Sequence, residues 1–547
     1  MNVTRLPLRG ASPIGPRAPL RQFGTAVSSG LVPLQRNAPS VKFWLEYMRA
    51  SSRVGHQAVS TGHDERMQQI QVEPAPLSML GTILSRTQSD PLVTTAAHAR
   101  ALLAGRVVWN VNATARGGGV AEMLQGLLAY ARGAGVDTRW LVLDGDPEFF
   151  AITKRLHNAL HGSSTGGRGF SASDHEHYEQ VLRANMVDAA ARVHPGDIVV
   201  LHDPQTAGLV EGFHRAGVQL IWRSHIGRDD STADTDSGWG FLRGYLGNVD
   251  VFVFSRSSYV PDWVAPARVR VIAPSIDPFS TKNRYLDEEQ LRNVLRRAGL
   301  LAGPADVEAV EFTRRDGTVG VVRHHRSLLP GSEPPPVDAP LVAQVSRWDR
   351  LKDMAGVLAA FADHVAPAAS RAHLMLVGPD VSGVSDDPEG AEVLADCRAA
   401  WAALPDPIRE RCHLACIPMD DTDENAIIIN ALQQHATVVV QKSLFEGFGL
   451  TVSEALWKSR PVLASAVGGI QDQITDGRDG LLLPDPHDLP GFAQRLRLLL
   501  EDPARRAALG RSGHARVRDQ FLGDRSLIQY GAVFDDLLAR DYLPSAG

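Results

Sequence analysis

Two series of short apolar runs, each run separated from the next by a longer helix-forming stretch, dominate this sequence. The first series is RVVWNV (106–111), TRWLVL (138–143), DIVVLH (197–202), VQLIWR (218–223), DVFVFS (250–255) and VRVIA (269–273). The second is PLVAQVS (340–346), HLMLVG (373–378), HLACI (413–417), TVVVQ (437–441), PVLAS (461–465) and GLLLP (480–484). These runs are apolar on both faces, as parallel strands sandwiched between helices must be. Alternation of strand and helix, twice over, implies an α/β protein with two doubly wound Rossmann-like domains. The proline-rich GSEPPPVDAP (331–340) reads as the linker between them, and AVEFTRRDGTVGVVRHH (309–325) as a hairpin turning at Asp316-Gly317.

Composition narrows the class. The 547 residues are 44% apolar and 22% charged, with a formal net charge of -6. This is the balance of a globular protein, not of a collagen, coiled coil or disordered chain. A mildly acidic chain is a poor partner for nucleic acid, and no apolar run approaches the length of about 18 residues that a membrane span needs. Three cysteines, Cys397, Cys412 and Cys416, are too few for a disulfide framework and fit a reducing, cytoplasmic setting. Residues 1–74 are expected to form a basic, largely flexible extension, with VKFWLEYMRA (41–50) as a short docking helix. Residues 75–337 then form the first domain and 338–523 the second. The tail 524–547 supplies a last helix packed across the domains.

Ligands of open α/β sheets bind beyond the carboxyl ends of the strands, so the residues there carry the functional reading. RGGGVAEML (116–124) follows a strand and opens a helix, where glycines let the backbone approach an anion. It is neither the G-x-G-x-x-G dinucleotide fingerprint nor a P-loop. VSRWDRLKD (345–353) offers Arg347 and Lys352, two cations suited to a diphosphate leaving group. SLFEGFGLTVSEALWK (443–458) places Glu446 and Glu454 on either side of a glycine turn, neither with an evident local partner. Plainer readings exist for each: a tight turn, a solvated loop paired with Asp349 and Asp353, and acids favoured at a helix start. Cys412-x3-Cys416 lacks zinc spacing, and Asp234-x-Asp236-x-Gly238 lacks the bidentate acid of a calcium loop. The acids of DDTDE (420–424) suit a helix start, and His175 and His177 read as solvated.

Taken together, these segments resemble the retaining, nucleotide-sugar-dependent glycosyltransferases with two facing Rossmann domains, the GT-B fold. Within them the chain is most similar to the trehalose glycosyltransferring synthases. The resemblance rests on NVNATARGGGVAEML (110–124), GDPEFFAITKRLHNALHG (145–162), LHDPQTAGL (201–209), WRSHIG (222–227), PSIDPFSTKN (274–283), VSRWDRLKD, LVGPDVSGVSDDPEG (376–390) and QKSLFEGFGLTVSEALWK (441–458). It implies an active site in the interdomain cleft. Arg347 and Lys352 would hold the diphosphate with the backbone of Gly118 and Gly119, and Glu454 the ribose. Glu446, with the backbone of Gly447, Phe448, Gly449 and Leu450, would bind donor glucose, which His225 also touches. Asp203 and Gln205 would bind the acceptor. The implied reaction moves glucose from a nucleotide diphosphate glucose to free glucose, giving trehalose. No resident cofactor or metal site is expected, and an assisting Mg²⁺ and a homodimer are both compatible with the resemblance. A trehalose phosphorylase, or a sucrose- or glycogen-type transferase with another acceptor, is the alternative; a silent nucleotide-sugar sensor would have lost one of the four charged site residues.

Overall fold

A computed structural model describes residues 67–115, 118–162, 169–304, 309–325, 328–368, 371–381 and 388–539. The basic leader, the docking segment 41–50 and Gly117 of the glycine loop lie outside these residues.

The first sheet contains β1 (Gln68–Ile70), β2 (Val108–Asn112), β3 (Thr138–Val142), β4 (Ile198–His202), β5 (Gln219–Ser224), β6 (Val251–Phe254) and β7 (Val269–Val271). Their order across the sheet is β1-β3-β2-β4-β5-β6-β7, parallel except for β1. Every residue of β2, β4 and β6 is buried, which explains why these runs show no polar alternation. Strand β1 was not expected. Residues 68–70 read Gln-Gln-Ile, too short and polar to signal a strand, and they are recruited by pairing antiparallel with β3.

A small hairpin, β8 (Glu311–Thr313) and β9 (Val319–Val321), follows. The Asp316 carboxylate accepts the Thr318 N–H at 2.9 Å and closes its turn. The hairpin is anchored to the second domain: Arg314 pairs with Asp421 at 2.6 Å, and Arg323 bonds Asp420 and Glu424. The acids 420–424 therefore do more than start the helix Thr422–His435, because buried Glu424 also binds His325 at 3.0 Å.

The second sheet holds β10 (Leu341–Val345), β11 (His373–Pro379), β12 (Cys412–Ile417), β13 (Val438–Gln441), β14 (Val462–Ser465) and β15 (Leu481–Leu483). It is wholly parallel, in the order β12-β11-β10-β13-β14-β15. This is the doubly wound Rossmann order, whose direction reverses between β10 and β13. In the first sheet the corresponding reversal falls between β2 and β4. Each reversal opens a crevice at the carboxyl edge, and both candidate site clusters lie there.

After the second domain the chain crosses back. Ile276 bridges to Leu522, and the helix Gly523–Ala539 packs against the helix Arg86–Leu102 of the first domain. Arg223, fully buried in β5, bonds the Tyr530 hydroxyl on this last helix and donates to the Ile272 carbonyl at 3.2 Å. His98 and Asp535 add a contact at 2.6 Å.

The cysteines are free and buried, their thiols pushed up in pKa by burial. Among the described residues no cluster of three or more His, Cys, Asp and Glu could hold a metal ion, and no helix is long and apolar enough to cross a membrane. His175 and His177 are half-buried instead of solvated: His175 stacks on Phe241 at 4.0 Å and His177 bonds Asp146 at 2.8 Å.

Candidate active site

The crevice of the second sheet is built by the loops that leave β10 and β13. Buried Gln344 near the end of β10 donates to the Lys352 carbonyl at 2.8 Å, folding loop 346–353 back over the strand edge. Ser346 and Gln441 tie the two strand ends together, and Leu444 N–H bonds the Leu351 carbonyl at 2.7 Å. Two backbones so tightly joined bring Lys352 Nζ to Glu446 Oε2 at 2.7 Å, with Ser443 Oγ donating to the same oxygen at 3.1 Å. Glu446 therefore has two partners: Ser443, three residues before it and so a local partner that was not expected, and Lys352, which no local sequence window contains. Arg347 is half-exposed at the mouth, 3.3 Å from Asp349. Burial raises the Asp349 carboxyl, but Lys352 and Arg347 outweigh it and hold its pKa below the ordinary value. The expected pairing of this loop with Asp349 is thus present. Asp353 instead binds buried Lys442 and caps the helix Met354–Ala360 through Gly356 N–H.

The glycine turn 447–449 has its carbonyls committed. Those of Glu446 and Gly447 accept from the Tyr259 hydroxyl at 3.1 and 2.7 Å, and that of Phe448 accepts from Gln473. Its N–H groups have no protein acceptor among the described residues, which leaves a small array of donors at the start of the helix Leu450–Trp457. Gly449 has φ 82°, and a Cβ on Gly468 would lie 1.8 Å from the Glu446 carbonyl, so this loop closes only with glycine on its supporting strand-end.

Glu454 sits one turn into that helix with its side chain 2% exposed. Its Oε1 meets Lys282 Nζ at 3.0 Å, and Oε2 is buried without a partner. Lys282 also binds Glu122 at 2.9 Å, on the helix Gly119–Gly133 of the first domain. Burial opposes its charge, but Glu122 and Glu454 keep this lysine protonated above its ordinary range. Gly118, at φ 136°, caps the Gly119–Gly133 helix, and a Cβ on Gly119 would stand 2.9 Å from Leu450 Cδ1. Gly118, Gly119, Leu450 and Glu454 are thus neighbours across the two domains.

The first sheet contributes Asp203, Gln205 and His225. Asp203 takes a left-handed φ of 63° so that its carboxylate can accept the His225 N–H at 2.7 Å. Burial pushes its carboxyl up to about 7, against the pull of that N–H and of Arg223. Gln205 is half-buried on the turn Pro204–Leu209. The ring of His225 is engaged within its own domain. Arg223 Nε can only donate, so His225 Nδ1 accepts at 3.4 Å, His225 Nε2–H donates to His202 Nδ1 at 3.0 Å, and His202 Nε2–H donates to Asn110 Oδ1 at 3.1 Å. Burial, then Arg223, keeps both imidazoles neutral, with His202 lowered to about 3. What His225 presents to the other domain is its backbone carbonyl, 2.9 Å from where a Cβ on Gly447 would be.

Sequence reasoning missed three contributors. Tyr259 and Arg256 come from the segment after β6: Arg256 bonds the Gly468 carbonyl and pairs with Asp229 and Asp472 at 3.2 and 3.3 Å. His161, at the end of the helix Pro147–Leu160, feels the charges of Lys352, Glu446 and Asp349. Its only sequence signal was membership of the segment 145–162.

Comparison with known proteins places this geometry. The family model described as "Trehalose synthase, N-terminal domain" matches residues 110–261, and "Glycosyl transferases group 1" matches residues 424–516. The chain is 35% identical over 443 residues to the trehalose synthase of Rubrobacter xylanophilus, covering 80% of this chain and 92% of that protein. The chain belongs to the trehalose synthase family. Members of the neighbouring trehalose phosphorylases are more distant: that of Pleurotus pulmonarius is 26% identical over 75% of this chain and 54% of its own length. The fold is GT-B. A UDP-forming α,α-trehalose-phosphate synthase from Burkholderia xenovorans, solved with glucose-6-phosphate, superposes with a TM-score of 0.58 at 14% identity, covering 79% of this chain and all of that one. Family membership makes the chain a hexosyltransferase of trehalose chemistry.

Proposed function

We propose that this member of the trehalose synthase family transfers glucose from a nucleotide diphosphate glucose to free glucose, with retention, forming α,α-trehalose. The observation that carries the nucleotide-dependent reading is Glu454: a buried carboxylate with one oxygen unpartnered, beside the cation-bearing crevice of the second sheet. A carboxylate only accepts hydrogen bonds, and two vicinal ribose hydroxyls are the donors such a site calls for. A phosphorylase has no use for it.

In this reading Arg347 and Lys352 bind the diphosphate, with Gly118 and Gly119 supplying N–H donors from the other domain. Glu446 and the free N–H groups of Gly447, Phe448, Gly449 and Leu450 receive the hydroxyls of the donor glucose. Asp203 and Gln205 serve the acceptor, and His225 lines the same cleft. The acceptor's C1 hydroxyl attacks the anomeric carbon on the face that the leaving group departs from. The C1–O bond to phosphate breaks, the hydroxyl proton passes to the departing phosphate oxygen, and Lys352 and Arg347 offset the developing charge. No carboxylate nucleophile is needed for that route, unlike double displacement. Mg²⁺ would act only as a counter-charge to the diphosphate.

Product NMR tests the assignment. Glucose incubated with UDP-, ADP- or GDP-glucose is expected to give the anomeric signal of α,α-trehalose with one donor. Glucose 1-phosphate arising only from trehalose and phosphate would replace the synthase by a phosphorylase.

A further inference from the structure

The first domain sends one helix, Pro147–Leu160, toward the loops carrying Lys352 and Glu446, and its capping residue is His161. The residue is 5% exposed, and its Nδ1 is buried with no hydrogen-bond partner. Cε1, the carbon between the two ring nitrogens, lies 3.6 Å from the position a Cβ would take on Gly447, so this end of the ring faces the glycine turn. Buried polar atoms in folded proteins are satisfied almost without exception, and one aimed at a ligand cleft is accounted for by the ligand.

We infer that His161 is a sugar-binding residue whose Nδ1 hydrogen-bonds a hydroxyl of a hexose held at the crevice where Glu446 and Lys352 meet. The inference rests on the proposed reading of the cleft as a hexosyl-transfer site.

The surroundings specify a hydroxyl over a phosphate. Burial, then the Lys352 ammonium, lowers His161 to about 4, so at neutral pH the ring carries no charge to attract an anion. The Gly227 backbone carbonyl takes the ring's N–H, which leaves the unpartnered Nδ1 as an acceptor, the complement of an alcohol O–H. The ring is also held in place. His157, likewise kept neutral by burial, packs against it edge-on at 4.7 Å. Arg228 donates to the His161 carbonyl at 3.3 Å while lying 4.2 Å over the Phe445 ring of the second domain. Glycine at 447 leaves the space beside Cε1 open.

Two hexoses meet in this cleft, the donor's and the acceptor's, and the kinetics separate them. In H161A the KM for one of the two sugars is expected to rise about tenfold, the scale of one neutral hydrogen bond. A rise for glucose alone assigns the acceptor, and a rise for the nucleotide-glucose alone assigns the donor. H161N, which keeps a donor and an acceptor, should recover part of the loss. In the acceptor case, one of 2-, 3-, 4- or 6-deoxyglucose should be penalised in the wild type and not further in H161A. Unchanged KM values in a folded H161A, or an equal loss with every deoxy sugar together with a lowered Tm, would overturn the inference. A wild type inactive with all three nucleotides would instead bring down the synthase reading. The inference is then judged by saturation-transfer NMR with trehalose alone, whose binding H161A should weaken at least fivefold; equal binding overturns it.

Discussion

Lys352 and Glu446 stand 94 positions apart in the chain, yet their side chains meet at 2.7 Å where the second sheet reverses its strand order. Neither is more than 17% exposed. Taking one member away leaves the other charge buried without its counter-ion, which is costly, whereas the intact pair is close to neutral for stability. What the pair secures is geometry: a cation and an acid presented at one crevice.

The first prediction follows from that placement. Lys352→Ala and Arg347→Ala should each lower kcat for trehalose formation about a hundredfold or more, as loss of one charge-stabilising contact does. Lys352→Ala should also lower Tm, because it strands Glu446, while half-exposed Arg347 should be removable without a change in Tm. Near-normal kcat in Arg347→Ala would remove the leaving-group role from that residue.

Glu454 and Lys282 give the second. Glu454→Gln keeps the shape but weakens the carboxylate's acceptance from hydroxyl donors. The KM for the nucleotide-glucose should rise about tenfold, the difference that one charge-assisted hydrogen bond makes. The KM for glucose should stay put. Initial rates at varied donor and acceptor suffice to check it, and an unchanged donor KM would remove the ribose-binding role from Glu454.

Most of this architecture could be read from the chain because parallel strands buried on both faces leave apolar runs, and the crossovers between them leave helical stretches. The hairpin was legible for the same local reason, Asp316-Gly317 between two short strands. Strand β1 was not: Gln68–Ile70 has no pattern of its own and becomes a strand only by pairing with β3. The site divides along the same line. The glycine turns, Arg347, Lys352, Glu446 and Glu454 lie in contiguous, distinctive segments. The partners of those acids, Lys352 for Glu446 and Lys282 for Glu454, depend on tertiary closure that no window of sequence contains. His225 shows the converse, since a strand-end histidine looks available in sequence but is engaged by Arg223 and His202 in space. His161 escaped notice because its significance is an empty nitrogen, which only a three-dimensional neighbourhood can reveal.

Tyr259 carries the third prediction. Its hydroxyl bonds the carbonyls of Glu446 and Gly447 and so fixes the turn whose N–H groups face the cleft. Tyr259→Phe leaves the Glu446 carbonyl unpaired, at a cost of about 1–3 kcal/mol for a buried acceptor, while that of Gly447 keeps the Gly469 N–H at 3.2 Å. Tm should fall, and the KM for donor should rise severalfold as the turn loosens. A variant with lower Tm but wild-type kinetics would confine Tyr259 to a packing role.

The fourth prediction concerns pH. Lys458 is buried beside Asn283 and Gln433, whose side-chain oxygens accept from its Nζ at 3.1 and 2.6 Å. Burial pulls its pKa down to about 7, despite the attraction of Glu454 and Glu122, and Lys282 adds to the lowering. Between about 7 and the ordinary lysine value near 10.4 the unfolded chain holds this proton and the folded chain does not. Stability contributed through this group therefore rises with pH across that window and is flat below it. Above about pH 9 the buried thiols of Cys397 and Cys412, raised to about 11 and about 12, work in the opposite sense, because they stay protonated only when folded. The clean interval is pH 7 to 9, and the clean quantity is the difference between wild type and Lys458→Met, in which the thiol contribution cancels. Urea midpoints across that interval should climb more steeply for the wild type than for Lys458→Met. Parallel curves would mean that Lys458 keeps its proton in the fold, held there by Glu454 against the cost of burial.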